Sequence, residues 1–374
     1  MLRAAVGGIA ADFGHQYLVS ATRSGKGIGE LWQALADRGF VGVNIGSEYG
    51  GGGGGITELA IVLEELAAAG VPVLMLVVSS GIGGSVLAMH GDEEQRREWL
   101  PGLASGRKKL AFAITEADAG LNTHRISTTA TRDGANFRIN GTKQFISGVD
   151  ESDAILLVAR TGIDELTGRG RLSLFIVDSD APGLSRTEIQ VEIVAAERQY
   201  SLFFDDVVVP SSRLVGAEGD GLRQVFVGLN PERILTAAIE NGIGRYALEK
   251  AVRYATERKV WDVPIGAHQG LAHPLAKAKI ELELARVITS KAAWLHDNGL
   301  DAAEASNMAK YAAAEAAIAA LDQAIQVHGG NGMTSDYGLA TMWGLCRLLR
   351  TAPVSREMIL NFVGQQTLGL PRSY

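Results

Sequence analysis

The strongest constraint on the fold is the order in which sequence periodicity changes along the chain. Up to about Arg107 apolar residues recur at helical spacing. Leu59, Val62, Leu63 and Leu66 do so in ITELAIVLEELAAAG, which closes on Gly70. From Leu110 to about Leu214 the runs are short, alternating or β-branched: KLAFAIT, FRING, AILLVAR, LSLFIVD and LFFDDVVVP. Asp133-Gly134 and Asn140-Gly141 read as turns between them. From Gly219 onward helix formers return, and Ala, Leu, Glu and Lys dominate Gly270 to Gln326. Helices, then strands, then helices exclude alternating βαβ units. They predict an α+β chain, mostly helical, in three parts: 1–109, 110–215 and 216–374. At 374 residues and 47% hydrophobic content, such a chain can bury a large core.

Several function classes are set aside on composition and spacing. The formal net charge is −7 and no block of Lys and Arg stands out, so nucleic acid is not an expected partner. Cys346 is the single cysteine, which excludes an internal disulfide and fits a reducing, cytoplasmic setting; it reads as a small buried residue. His268 and His273 lack a third ligand, so no metal site is expected. No apolar run approaches the ~20 residues of a membrane span. The segment from Val71 to Met89 carries Pro72, Ser79, Ser80 and several glycines, and reads as a buried core helix. Met1 to Asp12 has no convincing targeting character, its apolar stretch being interrupted by Gly7 and Gly8. The run Gly50 to Gly55 reads as a flexible loop: a dinucleotide fingerprint needs a preceding strand, and none is there. No G-x-S-x-G elbow supports a hydrolase.

The segment Ala111 to Gly148, AFAITEADAGLNTHRISTTATRDGANFRINGTKQFISG, resembles the flavin segment of acyl-CoA dehydrogenases. That family carries T-E-P-x-A-G-S-D, a Thr/Ala strand, a G-D turn, N-G-x-K and W-I-T. The likeness continues in order through LFFDDVVVP, LNPERILTAA, YATERKVWD, AHQG and QVHGGNGMT. It implies an N-terminal helical domain, a central β-barrel-like domain and a C-terminal four-helix bundle. It also implies FAD between the last two, its adenine end reaching a neighbouring subunit of a homodimer or homotetramer. An acyl-CoA substrate and an electron-transferring flavoprotein as acceptor follow from the same resemblance.

The resemblance assigns residues position by position. Phe112, Ile114 and Thr115 would line the isoalloxazine. Phe145, in place of the usual Trp, would cover a ring face, and Ser147, in place of Thr, would keep a hydroxyl near N5. Arg258 would contact the pyrophosphate, for which its planar fork suits it, although a solvated helix residue would look the same. Gln269, in the family's F-Q slot with His268 in place of the aromatic residue, would contact the cofactor, and Gln326, Gly329 and Gly330 would meet the neighbour's adenosine.

The family's chemistry is α,β-dehydrogenation of an acyl-CoA thioester. A carboxylate takes the α proton while hydride leaves the β carbon, and donors hold the thioester oxygen. The usual base slot, counted from QVHGGNGMT, falls at Pro353, which has neither carboxylate nor N–H. A shift of one residue would bring Ala352 or Val354 there. The isovaleryl and long-chain types place the base in L-x-x-E-R, here LNPER, which makes Glu232 the candidate base. Asn230 and Arg233 would contact the substrate. The competing account makes Glu232 an acid in a helix's first turn, with Asn230 as cap and Pro231 at the first position. Leu121 in place of Ser, and ATMWGL without its usual charged pair, mark further departures. Two alternatives stay open: a flavin monooxygenase-like relative on the same fold, and a catalytically silent subunit that serves a partner chain.

Overall fold

The computed structural model describes residues 1–372. Its first part consists of helices α1 (Leu2–Ser24), α2 (Gly29–Ala36), α3 (Ile56–Ala68), α4 (Ser85–His90) and α5 (Glu93–Ala104). The stretch expected as a buried core helix is helical from Leu74 and buried along most of its length, with Met89 exposed, and Leu76–Gly84 within it is a π-helix. The wider turn sets Gly81 against Leu235, where a Cβ would lie 2.4 Å from the leucine Cδ1. The Gly50 to Gly55 run is a loop, as expected, but a pinned one. Gly51, Gly52, Gly53 and Gly54 donate their N–H groups to the carbonyls of Gly46, Gly42, Ile45 and Val43.

The strands are β1 (Leu110–Ala113), β2 (Thr129–Asp133), β3 (Asn136–Ser147), β4 (Ala154–Ile163), β5 (Gly170–Asp178), β6 (Leu184–Ile189), β7 (Gln199–Pro210) and β8 (Leu214–Val215). They form one sheet in the order β6-β7-β3-β2-β4-β5-β8, with β1 parallel to β4 beside that path. The sheet does not close, so the barrel-like middle part is an open sheet with β6 and β8 at its ends. Asn140-Gly141 is not a turn. It lies inside β3 at a bulge, where a Cβ on Gly141 would meet Thr128 Cα at 2.6 Å. The apolar run of β4 lacks alternation because both faces are covered. Leu156 and Val158 face one core, shared with Ile82, Trp99 and Val225, while Ile155, Leu157 and Ala159 face another with Phe137 and Phe175.

The chain then enters α6 (Gly221–Glu257), a small hairpin of β9 (Lys259–Val260) and β10 (Val263–Pro264), and helices α7 (Gln269–Asp297), α8 (Ala303–His328), α9 (Ala340–Leu349) and α10 (Arg356–Phe362). Helices α6, α7 and α8 pack on one another, and α9 packs on α8 and α6 as the fourth. The same core takes in α1 and α3, so the first and last parts share one interior. Arg3, Arg245 and Arg286 converge on Glu64 and Glu65 of α3, at 2.6 to 3.3 Å, and tie α1, α6 and α7 to it.

Candidate active site

Two strand segments are brought side by side at one end of the sheet. Gln144 N–H donates to the Thr115 carbonyl at 2.9 Å, and Lys143 Nζ donates to the Ile114 carbonyl at 3.0 Å. Lys143 is fully buried and pairs with Glu116 Oε1 at 2.9 Å. Glu116 also accepts from the Ser127 N–H and hydroxyl, both at 2.7 Å, and from the Thr128 N–H at 3.0 Å. Burial alone would raise its carboxyl. The Lys143 charge and these bonds win and bring it down to about 2. Burial, partly offset by Glu116, lowers Lys143 to about 8, so both partners are charged at neutral pH. This pair fixes the spacing of Phe112, Ile114 and Thr115 against Phe145 and Ser147.

Phe145 sits at φ 57°, a left-handed conformation uncommon for an aromatic residue, and the residue is 58% exposed. Outliers of this kind cluster at ligand sites. The Ser147 hydroxyl is held by Gln199, whose Nε2 donates to it at 2.9 Å across the β3–β7 pairing. An outward-facing aromatic ring beside a half-buried hydroxyl suits a planar ring with a polar edge, such as an isoalloxazine. Gln199 and the Glu116–Lys143 pair escaped the sequence reading. The N-G-x-K and T-E motifs held the signal for the pair, whereas Gln199 is legible only from strand register.

Helix α6 approaches this face. Leu229 packs with Phe112 and Ile114 against the same core, and a Cβ on Gly228 would meet Ile82 at 2.8 Å. The helix start expected at Asn230-Pro231 is not there. α6 begins at Gly221 and runs 37 residues with Pro231 buried inside it. Proline removes one N–H from the ladder, but buried Val225, Ile234 and Leu235 hold both sides in register. The first-turn explanation of Glu232 therefore fails. Asn230 is no cap either; its Oδ1 accepts from Arg233 Nη1 at 3.1 Å. Arg233 Nε is enclosed and has no partner among the described residues. Glu232 keeps some contact with solvent and makes no hydrogen bond through its carboxylate among the described residues. Burial pushes it up to about 7, against the opposing charges of Arg233 and Lys310.

The loop 350–355 joins α9 to α10, and the peptide before Pro353 is cis. Ala352 N–H is engaged by the Leu348 carbonyl at 2.9 Å. Val354 N–H has no partner among the described residues.

The remaining predicted residues lie elsewhere. Arg258 caps the far end of α6, about 39 Å along the axis from Glu232 at ~1.5 Å per residue. It is exposed and forms no ion pair among the described residues. Ile265 N–H donates to its carbonyl at 2.8 Å, which brings Gln269 nearby. Tyr254 stacks on His328 at 4.3 Å and accepts from Asn331 Nδ2 at 3.1 Å, so the corner with Gln326, Gly329 and Gly330 is at this end too. Trp261 sits at the tip of the β9–β10 hairpin, 85% exposed at φ 51°, a bare indole that the sequence reading passed over.

Family models match three consecutive segments. They are the N-terminal domain of acyl-CoA dehydrogenase over residues 1–107, its middle domain over 111–207 and its C-terminal domain over 219–368. The chain belongs to the acyl-CoA dehydrogenase family. It is 54% identical over 375 residues to acyl-CoA dehydrogenase FadE12 of Mycobacterium tuberculosis, covering 100% of this chain and 96% of that one. Among solved structures it matches a glutaryl-coenzyme A dehydrogenase in complex with glutaryl-CoA at a TM-score of 0.94 and 28% identity, over 99% of this chain and 95% of the other. It matches a glutaryl-CoA dehydrogenase from Mycobacterium smegmatis in complex with FADH2 at 0.89 and 25%, over 100% and 96%. As a member of the acyl-CoA dehydrogenase family, it is an oxidoreductase acting on acyl-CoA.

Proposed function

We propose that the chain is an FAD-dependent acyl-CoA dehydrogenase in which Glu232 removes the α proton, giving a 2-enoyl-CoA. The observation that carries this reading is Glu232 itself. It is a carboxyl raised to about 7, without hydrogen-bond partners among the described residues, on a helix that packs beside Phe112 and Ile114. A base poised near the working pH is suited to proton transfer, and perturbed carboxyls concentrate at functional sites. Arg233, with its unpartnered Nε, and Asn230 bind the acyl-CoA from the same turn. Val354, whose N–H has no partner among the described residues, is the donor of the 350–355 loop for the thioester oxygen. Ser147, steadied by Gln199, faces the polar edge of the flavin, and Phe112, Ile114, Thr115 and Phe145 cover the ring. FAD, when bound, supplies the acceptor for the hydride that leaves the β carbon. An electron-transferring flavoprotein takes the electrons onward.

The separation along α6 supports a homo-oligomer. Arg258, Gln269, Gln326, Gly329 and Gly330 gather at the far end of α6 from Glu232, a placement that fits a role toward the adenosine and pyrophosphate of a neighbouring subunit's cofactor. The α7 face of Ile280, Leu284, Val287 and Trp294, all exposed apolar residues, supports the same assembly. The parts 1–109, 110–215 and 216–374 act as helical, flavin-holding and base-carrying units. No helix among the described residues is long and apolar enough to cross a membrane. The single unpaired thiol of Cys346 fits a cytoplasmic setting.

The test is the visible spectrum of the purified holoprotein under anaerobic conditions, before and after each member of an acyl-CoA panel. Bleaching by one chain class is expected. A bound flavin that every acyl-CoA leaves yellow would overturn the proposal in favour of an oxygen-using relative or a silent subunit.

A further inference from the structure

The role given to Val354 needs its N–H fixed in space. A backbone donor lowers a barrier only when it is aimed before the reaction starts, and a misplacement of about 1 Å can cost about 10²-fold in rate. The 350–355 loop supplies part of that order from its two ends. Thr351 and Ala352 N–H both donate to the Leu348 carbonyl in the last turn of α9, at 2.8 and 2.9 Å. At the other end the Ser355 hydroxyl accepts from the Met358 N–H of α10 at 3.3 Å. Between them, Pro353 has no N–H, and Val354 N–H has no partner among the described residues. The direction of that N–H therefore depends on how α9 and α10 are set against each other.

Both helices pack on α8. Two side chains of α8 meet the junction. Lys310, 1% exposed, donates through Nζ to the carbonyl of Leu349, the last residue of α9. Glu315, five residues further along, reaches both sides of the loop. Its Oε1 and Oε2 accept from Nε and Nη2 of Arg350 at 2.7 and 2.9 Å, and its Oε1 also accepts from Arg356 Nη1 at 3.5 Å. Arg350 is the cap residue of α9, and Arg356 is the first residue of α10. A two-bond fork between guanidinium and carboxylate fixes direction as well as distance. Arg356 divides its bonding with Glu357 at 3.2 Å, so Arg350 carries the tighter half of the clamp.

We propose that Glu315 is a positioning residue for the oxyanion donor: by clamping Arg350 and Arg356 it sets the end of α9 against the start of α10, and so aims the Val354 N–H at the thioester oxygen. This rests on the reading of Val354 as that donor.

The experiment reads the thioester carbonyl itself, by infrared difference spectroscopy of the oxidised holoenzyme. The probe is a 2-enoyl-CoA with 13C at the carbonyl carbon, of the acyl chain class that bleaches the wild-type flavin. A hydrogen bond to that oxygen polarises the carbonyl and puts its band below the position in free enoyl-CoA. In E315A the band should move back toward the free position. Flavin reduction by the matching acyl-CoA should slow by about 10- to 100-fold, with little change in the dissociation constant of the enoyl-CoA. A half-exposed ion pair contributes little to folding, so E315A should keep its flavin. R350A cuts the same clamp from the loop side and leaves α8 intact. It should give the same two effects, and E315A/R350A should be no worse than either single variant. A lowered band that E315A and R350A leave in place, even with slower turnover, overturns the clamp but not the donor. Additive losses in the double variant also overturn the clamp. A wild-type band at the free position removes the donor itself, and the role of Glu315 with it.

Discussion

Glu116 at the end of the sheet and Glu232 in α6 are both carboxyls drawn away from water, yet they come to rest at opposite ends of the titration range, about 2 and about 7. Glu116 has a lysine at 2.9 Å and three further donors. The Glu232 carboxyl has no hydrogen bond and no ion pair within 4 Å among the described residues. Burial acts on both in the same direction, so burial is not what separates them. What separates them is whether neighbouring groups satisfy the ionised form. The satisfied carboxyl is a strut that sets the spacing of two strands. The unsatisfied one keeps its affinity for a proton at the pH where chemistry is needed.

The sharpest way to break this contrast is to exchange the proton-binding group for an amide at each site. Glu232→Gln should lower the rate of flavin reduction by acyl-CoA by about 10³-fold, within the range for loss of a general base, with little change in thermal unfolding. Glu116→Gln should act the other way round. Breaking one side of a buried pair costs about 3–5 kcal/mol, read by urea unfolding, and Lys143 would be left with a charge it cannot share. If E116Q were as stable as the wild type, the strut reading would be lost.

The second contrast is in pH dependence, and the signs differ. Glu116 is lowered on folding, so its contribution to stability is full above the ordinary value of 4.5 and is lost as pH falls toward about 2. Glu232 is raised on folding, so between 4.5 and about 7 the native state holds a proton that the unfolded chain has released. Its effect is a loss of stability as pH rises through that window, shared with buried Glu197, also raised to about 7. Urea midpoints against pH should show E232Q with a shallower fall than the wild type across pH 4.5 to 7. An identical slope would place Glu232 outside the set of shifted groups.

The smallest effect belongs to Phe145, beside the strut. Its left-handed backbone costs roughly 1 kcal/mol, which glycine would not incur. F145G should raise the stability of the flavin-free chain by about that amount and weaken flavin retention on dilution. Unchanged retention would remove the ring from the flavin contact.

The parts of the fold that sequence revealed are those where a local rule and the tertiary structure agree. The three blocks, the Asp133-Gly134 turn and the enclosure of Cys346 are of this kind. Where a local rule was overruled, packing was the cause. Asn230-Pro231 looks like a helix start, but buried residues on either side carry α6 through it. Asn140-Gly141 looks like a turn, but strand pairing absorbs it as a bulge. The π-helix has the composition of any buried helix. In the proposed site, Glu232 was legible because a motif carried it. Glu315 was not, since it lies in an alanine-rich helix with nothing around it to mark its surroundings, and only the packing of α8, α9 and α10 gives it neighbours.

An open sheet has ends, and unpaired strand ends invite other chains to join them. One end here is β8, two residues long, which offers a newcomer almost no ladder. The other is β6, Leu184–Ile189, whose exposed positions are Ser185, Arg186, Thr187 and Glu188. Charge and brevity thus protect the two margins where this protein could otherwise seed aggregation, so the open sheet needs no closure to keep separate molecules from zipping together.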